Sequence, residues 1–141
     1  MVAAVNQRNA PFGLAVSGEA QSWLPALERI LGPRWLRTYK VSDDQELLEV
    51  VQRGLVDAAV LDDGVCWQIS VLQVLRMVRR MNALLPVVVV TAHRDRRWLE
   101  DALRLAAFSV VAKPLELEEL LRQIQRMMFR LDQMLREDTE R

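Results

Sequence analysis

The sequence has few of the residues that build disulfide frameworks, metal clusters and flexible linkers. Its 141 residues include one cysteine, one histidine, five glycines and five prolines. The single cysteine, Cys66, excludes an internal disulfide, and no partner stands near it at the spacing of a metal site. The first residues show no basic segment followed by a long apolar run, so no secretory signal is recognised. We therefore expect a cytoplasmic protein.

Net charge and long apolar runs are also absent. Nineteen basic and nineteen acidic residues balance, so the composition gives no reason to expect nucleic acid as a partner. No stretch approaches the apolar length of a membrane span, so no membrane contact is expected. About half of the residues are hydrophobic, which is ample for the core of one domain of this length.

The most informative stretch is the run of four valines from Val87 to Val90, which Thr91 follows. Alternate side chains of a strand point to opposite faces, so both faces of this strand must be covered. Central strands of parallel sheets with helices on each side have this pattern. Four more apolar segments are predicted strands, at 12–16, 35–41, 58–61 and 108–112.

Helical patterns alternate with these strands, and several polar residues mark where helices begin. Ser42 and Gln45 have the spacing of a capping box, and Asp95 can cap the helix after the valine strand. Pro114 suits the first position of the last helix. The alternation predicts an α/β fold, a doubly wound five-stranded parallel sheet with helices on both faces. The strand order that we expect is 2-1-3-4-5, one of the two common orders of such sheets.

The last predicted helix is longer than a covering helix needs to be. Its apolar pattern continues to Leu135, roughly twenty residues or about 30 Å of helix. Spacings of three and four alternate along it, as in a coiled-coil seam, and the candidate seam positions are Leu120, Ile124, Met127, Leu131 and Met134. Either the helix packs along its whole length on its own domain, or its second half protrudes and pairs with another chain. The predicted organisation is an arm at 1–11, a domain at 12–128, and an extension of the last helix with a charged tail at 129–141.

Polar residues follow four of the predicted strands at their carboxyl ends. They are Ser17–Gly18–Glu19, Asp62–Asp63, Thr91 and Lys113. In a sheet of order 2-1-3-4-5 the direction of winding reverses between strands 1 and 3, and ligands bind at such a point. We therefore expect these groups to converge. His93, in the loop after Thr91, is interpreted as a solvated loop residue.

At these residues the chain resembles the receiver domain of bacterial two-component response regulators. The likeness covers about residues 12 to 128, and its strongest pieces are 57–62, 86–92, Asp95 with Ala102, and 110–114. The resemblance implies that Asp62 is the phosphoacceptor, with Thr91 and Lys113 contacting the phosphoryl group. A carboxylate can form an acyl phosphate, whose charge then needs cationic and hydrogen-bonding partners. The resemblance also implies a cis Lys113–Pro114 bond.

Two features of that family are not found. The acidic pair that holds Mg²⁺ after the first strand is replaced by Ser17 and Gly18. Any Mg²⁺ site is therefore expected to be weak, with candidate ligands Asp62, Asp63, Glu19 and the backbone of Gly64. The aromatic switch residue of the fifth strand is replaced by Val110, whose β-branched side chain cannot swing in the same way.

The resemblance implies a signalling module and not an enzyme. Its partners would be a histidine kinase, a phosphotransfer protein or an output domain, with a homodimer formed through the last helix. Two alternatives remain open: phosphorylation at Asp62, or a phosphorylation-independent pseudo-receiver that serves as a dimerisation or scaffold module. A third hypothesis, a doubly wound domain that binds a small anion or cofactor, lacks the expected Gly-rich phosphate loop.

Overall fold

The fold was analysed in a computed structural model, which describes residues 10–64 and 67–140. Five strands alternate with helices along the chain. The strands are β1 (Phe12–Val16), β2 (Leu36–Lys40), β3 (Ala58–Asp62), β4 (Val87–Thr91) and β5 (Ala107–Ala112). A 3-10 helix, Gly18–Trp23, precedes α1, and the α-helices are α1 (Leu24–Leu31), α2 (Asp44–Gln52), α3 (Val71–Met81), α4 (Arg96–Ala106) and α5 (Leu117–Glu140).

The strands form one parallel sheet in the order β2-β1-β3-β4-β5. This confirms the predicted fold class and strand order. The order reverses between β1 and β3, so the helices that follow these two strands pack on opposite faces of the sheet. Among the helices of the described residues, none combines the length and apolar character needed to cross a bilayer.

The valine strand has the predicted environment on both faces. Val88 and Val90 belong to a core that α1 and α5 cover. Val87 and Val89 belong to a second core, on the other side of the sheet, which α2, α3 and α4 cover. All four valines are at most 1% exposed. The alternation of side chains between two dry layers is the reason why the run contains no polar residue.

Close packing at β1 depends on a glycine. A Cβ atom on Gly13 would lie 2.4 Å from the carbonyl oxygen of Leu55, a backbone atom that cannot move aside cheaply. The N–H of Gly13 donates to the carboxylate of Asp57 at 2.8 Å. Gly13 therefore lets the segment before β3 cross close to β1, which sets the position of β3 and of the residues at its carboxyl end.

The predicted start of α2 was wrong by one residue, and that of α4 was confirmed. The N-cap of α2 is Asp43 and not Ser42, because the Asp43 carboxylate accepts the N–H of Glu46 at 2.9 Å. The Glu46 carboxylate accepts the N–H of Ser42, the residue before the N-cap, at 3.2 Å, so the two bonds are not the reciprocal pair of a capping box. Asp95 caps α4 as predicted, by accepting the N–H of Trp98.

The last helix begins at Leu117 and not at Pro114. Both backbone groups of Leu115 bond to other elements: its N–H donates to Glu19, and its carbonyl accepts the indole N–H of Trp23. Residues 113–116 therefore cross the edge of the sheet before the helix can begin. The Lys113–Pro114 peptide is cis, as the resemblance implied.

The prediction that α5 uses its first seam positions for another chain was wrong. Leu120, Ile124 and Met127 are at most 1% exposed and lie in the core that α5 forms with the sheet. The spacing of three and four arises here because one face of the helix packs along its own domain. Leu131 and Met134 are only partly buried. The predicted division between residues 128 and 129 falls inside this continuous helix, so no break in secondary structure marks it.

Candidate functional site

Asp62 lies at the carboxyl end of β3, where it is 4% exposed. Its Oδ1 atom accepts the backbone N–H of Gly64 at 2.7 Å and lies 2.6 Å from the Nζ atom of Lys113. Its Oδ2 atom accepts the backbone N–H of Glu19 at 2.8 Å. Both carboxylate oxygens of Asp62 therefore have hydrogen-bond donors from this chain, which is how a buried charge is normally accommodated.

Lys113 follows β5 and connects the two acidic residues at the end of β3. Its Nζ atom lies 4.0 Å from Asp63 in addition to its short contact with Asp62. The pKa of Lys113 is raised above its ordinary value of 10.5, mainly by the hydrogen bond to Asp62. Burial opposes the rise, and the negative charges of Asp62, Asp63 and Glu19 add to it. The ammonium therefore stays protonated at neutral pH and balances part of the acidic charge.

Thr91 lies at the carboxyl end of β4, but its hydroxyl bonds to Asp63 and not to Asp62. The hydroxyl donates to Asp63 Oδ2 at 2.5 Å and accepts the backbone N–H of His93 at 2.9 Å. Thr91 is 1% exposed. The hydroxyl thus connects the loop after β4 to the loop after β3, beside the Asp62–Lys113 pair.

His93 was interpreted from the sequence as a solvated loop residue, but it has two specific neighbours. Its Nε2 atom lies 3.4 Å from Asp63 Oδ2, and its ring stacks on Trp98 with centroids 4.0 Å apart. About half of the side chain is still exposed. One signal for this contact is the position of Trp98 in the first turn of the next helix. The distance between the two side chains could not be predicted from the sequence.

Ser17, Gly18 and Glu19 follow β1, where Gly18 and Glu19 begin the 3-10 helix. They do not place a carboxylate beside Asp62 that could bind a metal ion with it. The Ser17 hydroxyl accepts the backbone N–H of Asp62 at 3.0 Å. The Glu19 carboxylate accepts the backbone N–H of Leu115 at 3.3 Å. Gly18 lies directly against Asp62, and a Cβ atom there would come within 2.4 Å of the Asp62 Cβ.

The Mg²⁺ that the resemblance implies does not fit these residues. A Mg²⁺ site needs oxygen ligands, usually carboxylates, in near-octahedral geometry. Here the Oδ2 atom of Asp62 faces an N–H group, and the Oδ2 atom of Asp63 is bonded to Thr91. Among residues 10–64 and 67–140, no group of three or more histidine, cysteine, aspartate or glutamate side chains could hold a metal ion.

The remaining site candidates lie outside the cluster or outside the described residues. Val110, at the place of the aromatic switch, is partly buried and packs against the core beneath α4. Trp67 donates its indole N–H to the carbonyl of Asp62 at 3.0 Å, a contact that sequence reasoning missed. Cys66, interpreted as an inert thiol, lies outside the described residues.

The fold and the edge site define a doubly wound α/β domain whose switch point carries two carboxylates, a hydroxyl and an ammonium. The chain belongs to the response regulator receiver domain family, because the model of that family matches residues 19–125. None of the curated proteins is a significant sequence match to this chain.

Solved structures with this fold are similar in backbone and distant in sequence. A CheY-like response regulator receiver domain from Methanospirillum hungatei JF-1 has a TM-score of 0.74 and 14% identity, covering 88% of this chain and 98% of that one. The signal receiver domain of a putative Luxo repressor protein from Vibrio parahaemolyticus also has a TM-score of 0.74 and 14% identity, with 93% and 98% covered. A response regulator protein from Burkholderia pseudomallei, solved with a phosphorylated aspartic acid, a calcium ion and citrate, has a TM-score of 0.65 and 17% identity, with 85% and 70% covered. At such identities the likeness supports the fold alone.

Proposed function

We propose that this receiver domain signals through protein contacts and that its working conformation does not require Mg²⁺-assisted phosphorylation of Asp62. One observation carries the proposal: donors of the same chain bond to both oxygens of the Asp62 carboxylate. An attacking carboxylate needs an oxygen that can approach phosphorus. A hydrogen bond to such an oxygen makes it less nucleophilic. Ser17 and Gly18 stand where the acidic pair that would recruit the metal is expected.

A second candidate is phosphorylation at Asp62, for which the Lys113 contact and the nearby Thr91 hydroxyl can be given a different role. Lys113 lies 2.6 Å from Asp62, and the Thr91 hydroxyl lies beside the pair. An ammonium and a hydroxyl are suitable partners for a phosphoryl group. The Burkholderia pseudomallei neighbour, of the same fold, was solved with a phosphorylated aspartic acid.

Intact mass after incubation with acetyl phosphate and Mg²⁺ separates the two candidates. We expect no added phosphoryl mass on the full chain, because the donors around Asp62 and the lack of an acidic pair disfavour attack. A receiver domain that has the acidic pair, treated in the same tube, shows that the reagent is active. Added mass on this chain that disappears in Asp62→Ala would overturn the proposal and establish the second candidate.

The protein contacts that we propose are with a histidine kinase, a phosphotransfer protein or an output domain, and with a second copy of the chain. The self-contact would use the part of α5 that the domain core does not cover completely. There Leu131 and Met134 line an open groove with Leu84 and Pro86. This replaces the longer seam inferred from the sequence, whose first three positions lie in the core.

The double variant Leu131→Glu with Met134→Glu tests the homodimer. Two carboxylates placed in an apolar contact lose solvation, so we expect the mass in solution to fall from that of a dimer to that of a monomer. Sedimentation equilibrium measures this mass over a range of concentrations. The matched control is Gln125→Glu with Gln133→Glu, at two exposed positions of the same helix. A wild type that is monomeric throughout, or a double variant that still dimerises, would rule out this contact.

A further inference from the structure

Glu19 bonds to two other segments of the chain, one through its backbone and one through its side chain. Its backbone N–H donates to Asp62 Oδ2 at 2.8 Å, and its carboxylate accepts the backbone N–H of Leu115 at 3.3 Å. We call these two hydrogen bonds the Glu19 bridge. The bridge connects the segment after β1 with the end of β3 and with the loop between β5 and α5. We propose that the Glu19 bridge holds these three segments in one arrangement and takes the structural place of a divalent metal ion in this domain.

Gly18 is what brings the N–H of Glu19 to Asp62. It has a φ of 64°, a left-handed conformation that side chains rarely adopt. A Cβ atom at this position would lie 2.4 Å from the Asp62 Cβ and 2.6 Å from its Oδ2. A larger residue would therefore displace the carboxylate and the N–H that bonds to it. The buried Ser17 hydroxyl, which accepts the Asp62 N–H, keeps the same two segments in register.

The charges at the site explain why a backbone N–H suffices. The Lys113 ammonium lies at Asp62 Oδ1, so the negative charge of Asp62 is balanced without a metal ion. The Oδ2 atom then needs a hydrogen-bond donor, and the N–H of Glu19 provides one. The Glu19 carboxylate accepts the backbone N–H of Leu115, and it is the Glu19 N–H that bonds to Asp62. The proposal concerns the unmodified domain, so it can hold or fail independently of whether Asp62 accepts phosphate.

The side-chain half of the bridge is tested by hydrogen exchange at the Leu115 amide, measured by NMR on the full chain. Glu19→Ala removes the acceptor, and we expect that amide to exchange roughly tenfold faster because its hydrogen bond is lost. Glu19→Gln retains an acceptor oxygen and is expected to stay within about threefold of the wild type. Glu49→Ala, at an exposed glutamate on α2, controls for the loss of a glutamate elsewhere. Unchanged exchange in Glu19→Ala would overturn the proposal.

The backbone half of the bridge is tested by Glu19→Pro, which removes the N–H as well as the side chain. Proline is tolerated in the first turn of a helix, so the segment 18–23 can still form. We expect Glu19→Pro to lower the thermal midpoint below that of Glu19→Ala, because Asp62 Oδ2 loses its donor. Equal midpoints for the two variants would contradict this half. Should Glu19→Pro fail to fold, Gly18→Ala provides the comparison, with faster exchange at Leu115 as the expected result.

The replacement of a cation is tested by thermal unfolding with and without Mg²⁺. We expect Mg²⁺ to leave the midpoint of the wild type unchanged at constant ionic strength, since a ligand that binds only the folded state would raise it. A rise that depends on Mg²⁺ concentration would overturn the inference, whatever the phosphorylation experiment shows. No rise, together with added phosphoryl mass at Asp62, would leave the bridge standing and remove the proposed function.

Discussion

Arg79→Met is expected to lower the free energy of unfolding by about 3 kcal/mol. The guanidinium of Arg79, near the end of α3, donates to five backbone carbonyls, those of Asn82, Ala83, Leu85, Leu105 and Ala106. The first three belong to the connection between α3 and β4, and the last two to the final turn of α4. The last carbonyls of a helix have no hydrogen-bond donor within it, so Arg79 provides donors to those of α4. Methionine replaces the aliphatic part of the side chain and removes every donor.

Urea unfolding followed by tryptophan fluorescence measures this loss. Burial lowers the pKa of Arg79, and the positive charge of Arg130 lowers it further, but arginine stays charged at any pH of interest. Arg79→Lys keeps the charge without the fork of donors and should fall between the wild type and Arg79→Met. Arg80→Met, at the exposed neighbouring position, should stay within about 0.5 kcal/mol of the wild type. A loss in Arg79→Met no larger than in Arg80→Met would contradict the assigned role.

The sequence was sufficient to predict the layered fold because the pattern of burial is periodic. The four valines alternate between two cores, and that requires helices on both sides of the strand. The strand order was expected as a common one for doubly wound sheets, and from that order the polar carboxyl ends were expected to meet at one reversal point. The face on which a residue is buried does not change when the end of a helix is misplaced by one or two residues.

Periodicity could not identify what covers the last helix. Leu120, Ile124 and Met127 repeat at coiled-coil spacing, yet they pack on the sheet of the same chain. The spacing states only that one face of a helix is apolar, and a sheet satisfies that face as well as another helix does. The start of α5 was misplaced for a related reason, since the bonds of Leu115 to Glu19 and Trp23 join residues far apart in sequence.

At the site, the sequence predicted which residues come close but not how they bond. Asp62 and Lys113 were expected to meet, and their atoms lie 2.6 Å apart. Thr91 bonds to Asp63, and a backbone N–H faces Asp62 Oδ2. Both contacts depend on loop conformations, which the periodicity of apolar residues does not predict. The left-handed backbone at Gly18 decides the second of these contacts. A glycine in place of an acidic residue was the one signal that a backbone group could approach there.

Lys113→Met is expected to lower the free energy of unfolding by about 2 kcal/mol at pH 7. The variant leaves the buried Asp62 carboxylate with two N–H donors and no countercharge. The estimate is smaller than for a fully buried pair because the Lys113 side chain is 27% exposed. In an Asp62→Ala background no buried carboxylate is left without a countercharge. There Lys113→Met should lower the free energy of unfolding by less than about 0.5 kcal/mol. Similar losses in the two backgrounds would show that Lys113 acts through something other than Asp62.

The pH dependence of this difference follows from the raised pKa of Lys113 in the folded state. Because folding favours the protonated amine, its contribution to stability is fully present below the pKa of the unfolded chain, about 10.4. It is lost as the pH rises through the higher pKa of the folded state. The difference in unfolding free energy between the wild type and Lys113→Met should therefore stay constant from pH 7 to about pH 10 and shrink above that. Guanidinium unfolding across this range measures it, and a difference that grows at alkaline pH would contradict the ion pair between Lys113 and Asp62 as its cause.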